Sequence, residues 1–311
     1  MEQTHTSFNF YDQTYLKSYN LDKEIQYQLN LLDSLDVFTR KHSENVATIT
    51  CNLCRKLHLS KGFTEYCTIC AYLHDIGKLF IPSSILQKPG KLTEEEFEII
   101  KSHTTLGYNL CIKDKKLRPY YAGPYYHHEA LDGTGYPQGL VEKDIPYEAQ
   151  IIRVADEFDA LVSKRQYKSH IGITDALKII IENTQPSPNA PLNTGYTKAG
   201  KNNKKIVKKL LKVVIDDIEY EIICTIDYVD FLKKEINRCE EIKKYSEMIK
   251  TLKKESDIKS YTQYVNMLLK QGESTEKIDE LCDEFKKAYS MRKDILNGLY
   301  KEIKNVKDLK V

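Results

Sequence analysis

Tryptophan is absent from this chain of 311 residues, and no apolar run comes near the roughly 20 residues that a membrane-spanning helix needs. No transmembrane helix is therefore expected. The first residues, MEQTHTSFNFYDQ, lack the basic stretch and apolar core of a secretory signal, which points to a cytoplasmic protein. An excess of one charge is missing too: 47 Lys and Arg stand against 45 Asp and Glu, a net +2. So weak a field draws the molecule neither to a nucleic-acid polymer nor to a membrane surface. The 22 tyrosines, with abundant Lys, Ile and Asn, read as compositional bias and not as a functional signature. Hydrophobic residues at 41% and charged residues at 30% describe a soluble globular chain, long enough for two domains of modest size.

Against these absences stands a concentration of imidazole and carboxylate. Five of the eight histidines and two aspartates lie in FTRKHS at His42, HDIGK at His74 and Asp75, KSHTTLG at His103, HHEALDGTGYP at His127 and His128, and RVADEFDAL at Asp156. A single histidine on an apolar helix face is usually a core residue. Seven such groups together can fill two octahedral metal sites, with solvent or substrate in the remaining positions, so a metal-dependent hydrolase is the leading expectation. His5, His58 and His170 fall outside the set.

The eight cysteines, in a reducing compartment, are expected to be thiols or metal ligands. Cys51, Cys54, Cys67 and Cys70 form two C-x-x-C pairs. Helical phase puts Cys51 and Cys54 opposite the face of His42, Val46, Ile49 and Leu53, whereas Cys67 and Cys70 share the face of His74. Small core residues are the expected reading, and a structural zinc shared by two helices is the alternative.

Apolar spacing predicts one or two helices over residues 22–57 and another over 64–76 that delivers His74 and Asp75 near its end at Gly77. On such a helix the two would point about 100° apart, so that one ligates a single metal and the other bridges. Thr93 and Glu96 form a capping box that opens a helix carrying His103. Residues 120–146 read as loop around the double histidine, and a helix over 147–163 holds Asp156. Strand signals are sparse, so the fold class is all-α. A loop insertion is expected over 185–203. The basic amphipathic run KKIVKKLLKVVIDDIEYEI follows, read as a solvated helix face with an anionic partner as the alternative. Stripes through Phe231, Leu232, Ile236, Cys239, Ile242 and Ile249, and through Ile278, Leu281, Cys282, Phe285 and Tyr289, predict C-terminal helices able to pair two chains or to fold back. The expected organisation is an N-terminal extension over 1–29, a catalytic domain over 30–220 and a helical segment over 221–311.

In their order and spacing, the HS, HDIGK, K-x-H-x-x-x-G, HHE-x-x-DG-x-GYP and AD-x-FDAL strings resemble the HD-GYP family of HD-domain phosphohydrolases, over roughly residues 30–215. The resemblance implies an all-α HD bundle and a bacterial enzyme that hydrolyses cyclic di-GMP to linear pGpG or GMP. Transferred position by position, it implies one metal on His42, His74 and Asp156, a second on His103, His127 and His128, and Asp75 between them. A hydroxide held by both metals would attack phosphorus in line with the departing 3′ oxygen. Lys78 would neutralise developing phosphate charge, its alternative being a surface lysine. Two divalent ions are implied, iron or manganese foremost, with nickel or zinc also compatible with the donor set. Gly135, Tyr136 and Pro137 of the GYP loop would face the dinucleotide or a partner protein, and Arg165 and Lys168 would bind phosphate or guanine. Glu129 and Asp159 would orient histidines. Asp132 or a metal-bound water is a candidate proton donor to the leaving group.

Two positions depart from the family pattern. Three-metal members carry a glutamate where this chain has Phe38, so two metals are expected, and Gln150 stands where many members have arginine. The competing readings are a sensor or docking module that binds cyclic di-GMP without turnover, and the same chemistry on another cyclic dinucleotide or nucleotide.

Overall fold

A computed structural model describes residues 37–88, 90–163, 171–186 and 199–311; the side chains of Val37 and Phe38 are outside the description. These residues are all-α, and among them extended pairing is limited to a single bridge between Asp132 and Val141. Among the described residues no helix is long and apolar enough to cross a membrane. Contacts divide the chain into two compact units, Met1–Val214 with Asp308–Val311, and Ile215–Lys307.

The first unit is built on α1 (Val37–Lys56) and α2 (Lys61–Leu73). His42, Val46 and Leu53 recur at helical spacing and are buried, but so are Ser43, Ala47, Thr50, Cys51 and Cys54, so α1 is covered over a wide arc. Both cysteine pairs therefore lie in the core, whichever face of α1 they occupy. Burial of side chains such as Leu53, Ile69 and Leu73 contributes about 1.5–3 kcal/mol each. His58 ends α1 with φ 57, a left-handed C′ position, and the Leu59 N–H donates to the Cys54 carbonyl at 3.1 Å while the His58 N–H donates to Arg55. That pairing is a Schellman motif, with histidine where glycine or asparagine is usual. Ser60 then caps α2, accepting from the Phe63 N–H at 3.2 Å.

A 3-10 turn over Ile76–Phe80 and the short α3 (Ser83–Leu86) lead to α4 (Glu94–Lys101). The Thr93–Glu96 capping box is formed, and Lys88 adds an ion pair to Glu96 at 2.6 Å. Next come α5 (His103–Lys113), α6 (Ala122–Tyr126) and α7 (Tyr147–Val162), which packs on α1. A helix that the apolar stripes did not suggest, α8 (Ile173–Glu182), buries Ala176, Leu177 and Ile180.

The expected basic run and the stripe beyond it form one helix, α9 (Lys204–Ile249). In the second unit its later turns join α10 (Glu255–Leu268) and α11 (Ile278–Lys307) around Cys239, Ile242, Val265, Ile278 and Cys282. Arg238 pins this core, pairing with Glu273 at 2.6 Å and Glu235 at 2.9 Å and donating to the Leu268 carbonyl.

Candidate metal centre

Helix α7 supplies the first wall of the site. Asp156 and Asp159, three residues apart, share one face of it. The His42 ring lies between them, with Nδ1 2.7 Å from Asp159 Oδ2 and Nε2 2.9 Å from Asp156 Oδ1. Asn45 and Ser163 also donate to Asp159, so this carboxylate is fixed and fixes His42 in turn, as its expected orienting role requires.

His74 and Asp75 do not sit within a helix as the spacing suggested. Helix α2 stops at Leu73; His74 remains near helical geometry, whereas Asp75, at φ −98 and ψ 7, starts the 3-10 turn. The turn, and not a 100° helical step, separates their side chains. His103 likewise does not lie on the helix begun at Thr93. That helix ends at Lys101, and after Ser102 His103 opens α5. The reason is packing: α5 lies so close to the HDIGK turn that a Cβ on Gly77 would stand 1.9 Å from the His103 carbonyl oxygen and 2.6 Å from the Gly107 nitrogen.

His74 Nδ1 lies 2.6 Å from the Ala71 carbonyl, His103 Nδ1 2.6 Å from that of Ile100, and His127 Nδ1 2.9 Å from that of Gly123. Carbonyls only accept, so each Nδ1 carries the proton and each Nε2 presents a bare lone pair. The Nε2 of His74 is buried without a hydrogen-bond partner among the described residues. The Nε2 atoms of His103 and His127 face one another at 3.2 Å, two acceptors with no proton between them. Such an arrangement suits a cation.

Asp75 lies at the centre. Its Oδ2 is 3.3 Å from His74 Nε2, 3.8 Å from His42 Nε2 and 2.5 Å from Lys78 Nζ, while Oδ1 is 3.4 Å from His103 Nε2 and 4.0 Å from His127 Nε2. Each oxygen thus faces a different histidine group. Ligand atoms of His42, His74 and Asp75 lie within 4.8 Å of one another, as do those of His103, His127 and His128, and each trio can hold a metal ion. Asp156 joins both sides, with Oδ1 3.9 Å from His74 Nε2 and Oδ2 3.9 Å from His128 Nδ1. No cysteine belongs to either trio, and burial raises the Cys67 and Cys70 thiols and pushes Cys111 up to about 12. Among the described residues no cysteine group is arranged to hold a metal ion, so the shared-zinc alternative gains no support and both pairs read as buried core.

Burial alone would raise the Asp75 carboxyl, but the Lys78 ammonium beside it holds it well below the usual range. Burial would lower His42, yet its bonds to Asp156 and Asp159 raise it to about 9. Burial depresses His103, depresses His127 strongly, and takes His128 down to about 3. In the metal-free protein these shifts act on stability from two sides. The unfolded chain, with histidine near pKa 6.5, binds more protons than the depressed histidines do, so stability falls as pH drops from about 6.5 toward 3. His42 has the opposite sign: its contribution is full below about 6.5 and is lost as pH rises through 9. The midpoint temperature of chelator-treated protein, scanned against pH, is expected to decline on both sides of neutrality.

The GYP loop is held by its own chain. Glu129 bonds to no histidine among the described residues; it accepts the backbone amides of Gln138 at 2.7 Å and Leu140 at 2.8 Å and so holds the exit of the loop. A Cβ on Gly135 would meet the Ala130 nitrogen at 2.3 Å and the His128 carbonyl oxygen at 2.5 Å, so this glycine allows the loop to close on its own chain. Tyr136, which precedes Pro137 through a cis bond, stacks on His128 with ring centroids 4.6 Å apart. Asp132 is buried and turns back to accept from the Thr134 N–H and hydroxyl, while Gln150 donates to the Ile145 carbonyl and accepts from Asn203. Arg165 and Lys168 lie outside the described residues. Arg153, without an expected role, donates to the His128 carbonyl; its place three residues before Asp156, on the same helix face, was the available signal.

This geometry acquires a family context from comparison with known proteins. The HD domain family matches residues 26–186, more than half of the chain. The chain belongs to the HD-domain family. Its relatives bear out the HD-GYP resemblance. The HD domain is 41% identical over 155 residues to a cyclic di-GMP phosphodiesterase of Thermotoga maritima, an alignment covering 49% of this chain and 42% of that protein. It is 44% identical over 128 residues to the cyclic di-GMP phosphodiesterase response regulator RpfG of Xanthomonas campestris, covering 40% and 34%. Identity is 38% over 153 residues to a 3′3′-cGAMP-specific phosphodiesterase of Vibrio cholerae, covering 49% and 33%. The chain spans less than half the length of these curated relatives.

Proposed function

We propose that the HD domain is a metal-dependent phosphodiesterase that hydrolyses cyclic di-GMP. The observation that carries the reading is Asp75, one carboxylate with one oxygen turned to the ring nitrogens of His42 and His74 and the other to those of His103 and His127. His42, His74 and Asp156 would hold one divalent ion, His103, His127 and His128 another, and Asp75 both. Bound there, two such ions supply positive charge for a phosphodiester and acidify water toward neutrality. Iron or manganese is the proposed pair, since imidazole with carboxylate suits either.

The chain's own groups divide the remaining work. Lys78, partly exposed and 2.5 Å from Asp75, carries a cation to the edge of the cluster, where it can neutralise a phosphate oxygen. Tyr136 presents the outer face of the His128 stack, and Lys101 lies 5.5 Å from its ring centroid, an aromatic and cationic lining suited to a nucleotide. Gly135 and Pro137 shape that lining, and Arg165 and Lys168 are assigned to phosphate or guanine. Water adds across one P–O3′ bond to give linear pGpG, and a second addition gives GMP. The reading places the enzyme in the cytoplasm and allows a partner protein at the loop over residues 133–137. Self-association through the C-terminal helices, which expose Tyr220 and Met267, belongs to the same reading.

Protein loaded anaerobically with Mn(II) or Fe(II) is expected to convert cyclic di-GMP, with a higher kcat/KM than for 3′3′-cGAMP or cyclic di-AMP. A higher value for another dinucleotide reassigns the substrate; binding without turnover of any of them makes the protein a sensor. Asp159→Asn keeps the shape but weakens the hold on His42, and is expected to lower metal affinity about 10–100-fold, read by competition with a chelating dye.

A further inference from the structure

Four of the five clustered histidines have a ring nitrogen tied to an oxygen at 2.6–2.9 Å. His128 has no such tie among the described residues; the Asp156 carboxylate stands 3.9 Å from its Nδ1, and its ring rests on Tyr136 by stacking. What holds His128 is its backbone. Its carbonyl accepts the Tyr136 N–H at 3.2 Å and the Arg153 Nη1 at 3.3 Å.

Arg153 is held in turn. Its Nε donates to Asn202 Oδ1 at 3.0 Å, and Asn202, almost fully buried, donates through Nδ2 to Glu157 at 2.5 Å and through its backbone N–H to the Asn183 carbonyl at 2.9 Å. The Asn183 side chain reaches the other Glu157 oxygen. One residue earlier, the Lys201 carbonyl accepts the Leu131 N–H at 3.1 Å, three residues past His128. A strap over residues 199–203 thus joins the end of α8, the Asp156 face of α7 and the double-histidine loop.

We propose that Arg153 and Asn202 are positioning residues for His128, fixing by its backbone the one histidine whose ring has no orienting hydrogen bond, and so setting the affinity of the second metal. The inference rests on the two-metal reading above. A planar guanidinium is needed because the Asn202 oxygen and the His128 carbonyl must be met from one rigid fork, which a lysine ammonium does not reproduce.

Mn(II) titration by calorimetry, with metal counted after gel filtration, tests this on the intact chain. Wild type is expected to bind two ions. Arg153→Ala is expected to keep one ion at wild-type affinity and weaken the other about 10–100-fold, the usual effect of losing a group that orients a ligand. Arg153→Lys and Asn202→Ala, milder variants that keep the assay interpretable if Arg153→Ala does not fold, are expected to show the same selective loss. Two ions at unchanged affinity in these variants, with only a lower melting temperature, would overturn the positioning role. A single ion in the wild type would overturn the two-metal reading instead.

Discussion

Asp75→Asn is expected to reduce hydrolysis of cyclic di-GMP by well over about 100-fold, beyond the roughly 10–100-fold that follows loss of an orienting group. The substitution keeps the shape and removes the charge on which both halves of the centre depend. Asp75 Oδ2 serves the side of His42 and His74, and Oδ1 the side of His103 and His127. Lys78 would then sit at the centre without its anionic partner, adding repulsion to incoming metal. In metal-free protein the change leaves the partly exposed Lys78 ammonium without its partner, so a lower melting temperature is expected beside the lost activity. Bound metal counted by mass spectrometry, together with initial rates, checks both halves of the expectation. Turnover within tenfold of wild type would show that Asp75 does not join the two groups.

Gly77→Ala is the second large effect, and it acts through the backbone. The added methyl would stand 1.9 Å from the His103 carbonyl oxygen and 2.6 Å from the Gly107 nitrogen, both main-chain atoms that no side-chain rotation can clear. The HDIGK turn and α5 would have to part by on the order of an ångström, at a cost near or above the 1–3 kcal/mol usual for overpacking. Asp75 and His103, now 3.4 Å apart across that seam, would separate with it. A misplacement of this size costs about 100-fold in rate, so activity and melting temperature are expected to fall together. Gly62→Ala is the control. Nothing lies within 4 Å of the Cβ it would add, and Gly62 stands in the first turn of α2, where alanine is no worse a helix former. If the two variants melt alike, the seam at Gly77 is looser than described.

The sequence made the donors legible because their strings are dense and ordered, and all seven converge. It also marked the Thr93 capping box and the helix behind Asp156, where the signals are local. What it misplaced depends on tertiary contact. No glycine or proline announces the break at Ser102, whose backbone stays near helical geometry, and α2 ends before His74 although its residues would tolerate another turn. Glu129 reads as a partner for histidine because it follows two of them, yet it serves the loop that folds back over it. For Arg153 the helix face it shares with Asp156 is the one signal in the sequence; its acceptors, a carbonyl 25 residues before it and an asparagine 49 residues after it, lie at separations that no periodicity records.

Electron paramagnetic resonance of Mn(II)-loaded protein tests the central claim, two ions joined through Asp75, most directly. At saturation the wild type is predicted to give the exchange-coupled spectrum of neighbouring ions, and Asp75→Asn to revert to the pattern of an isolated ion. An isolated-ion spectrum from the wild type at every loading would contradict the account.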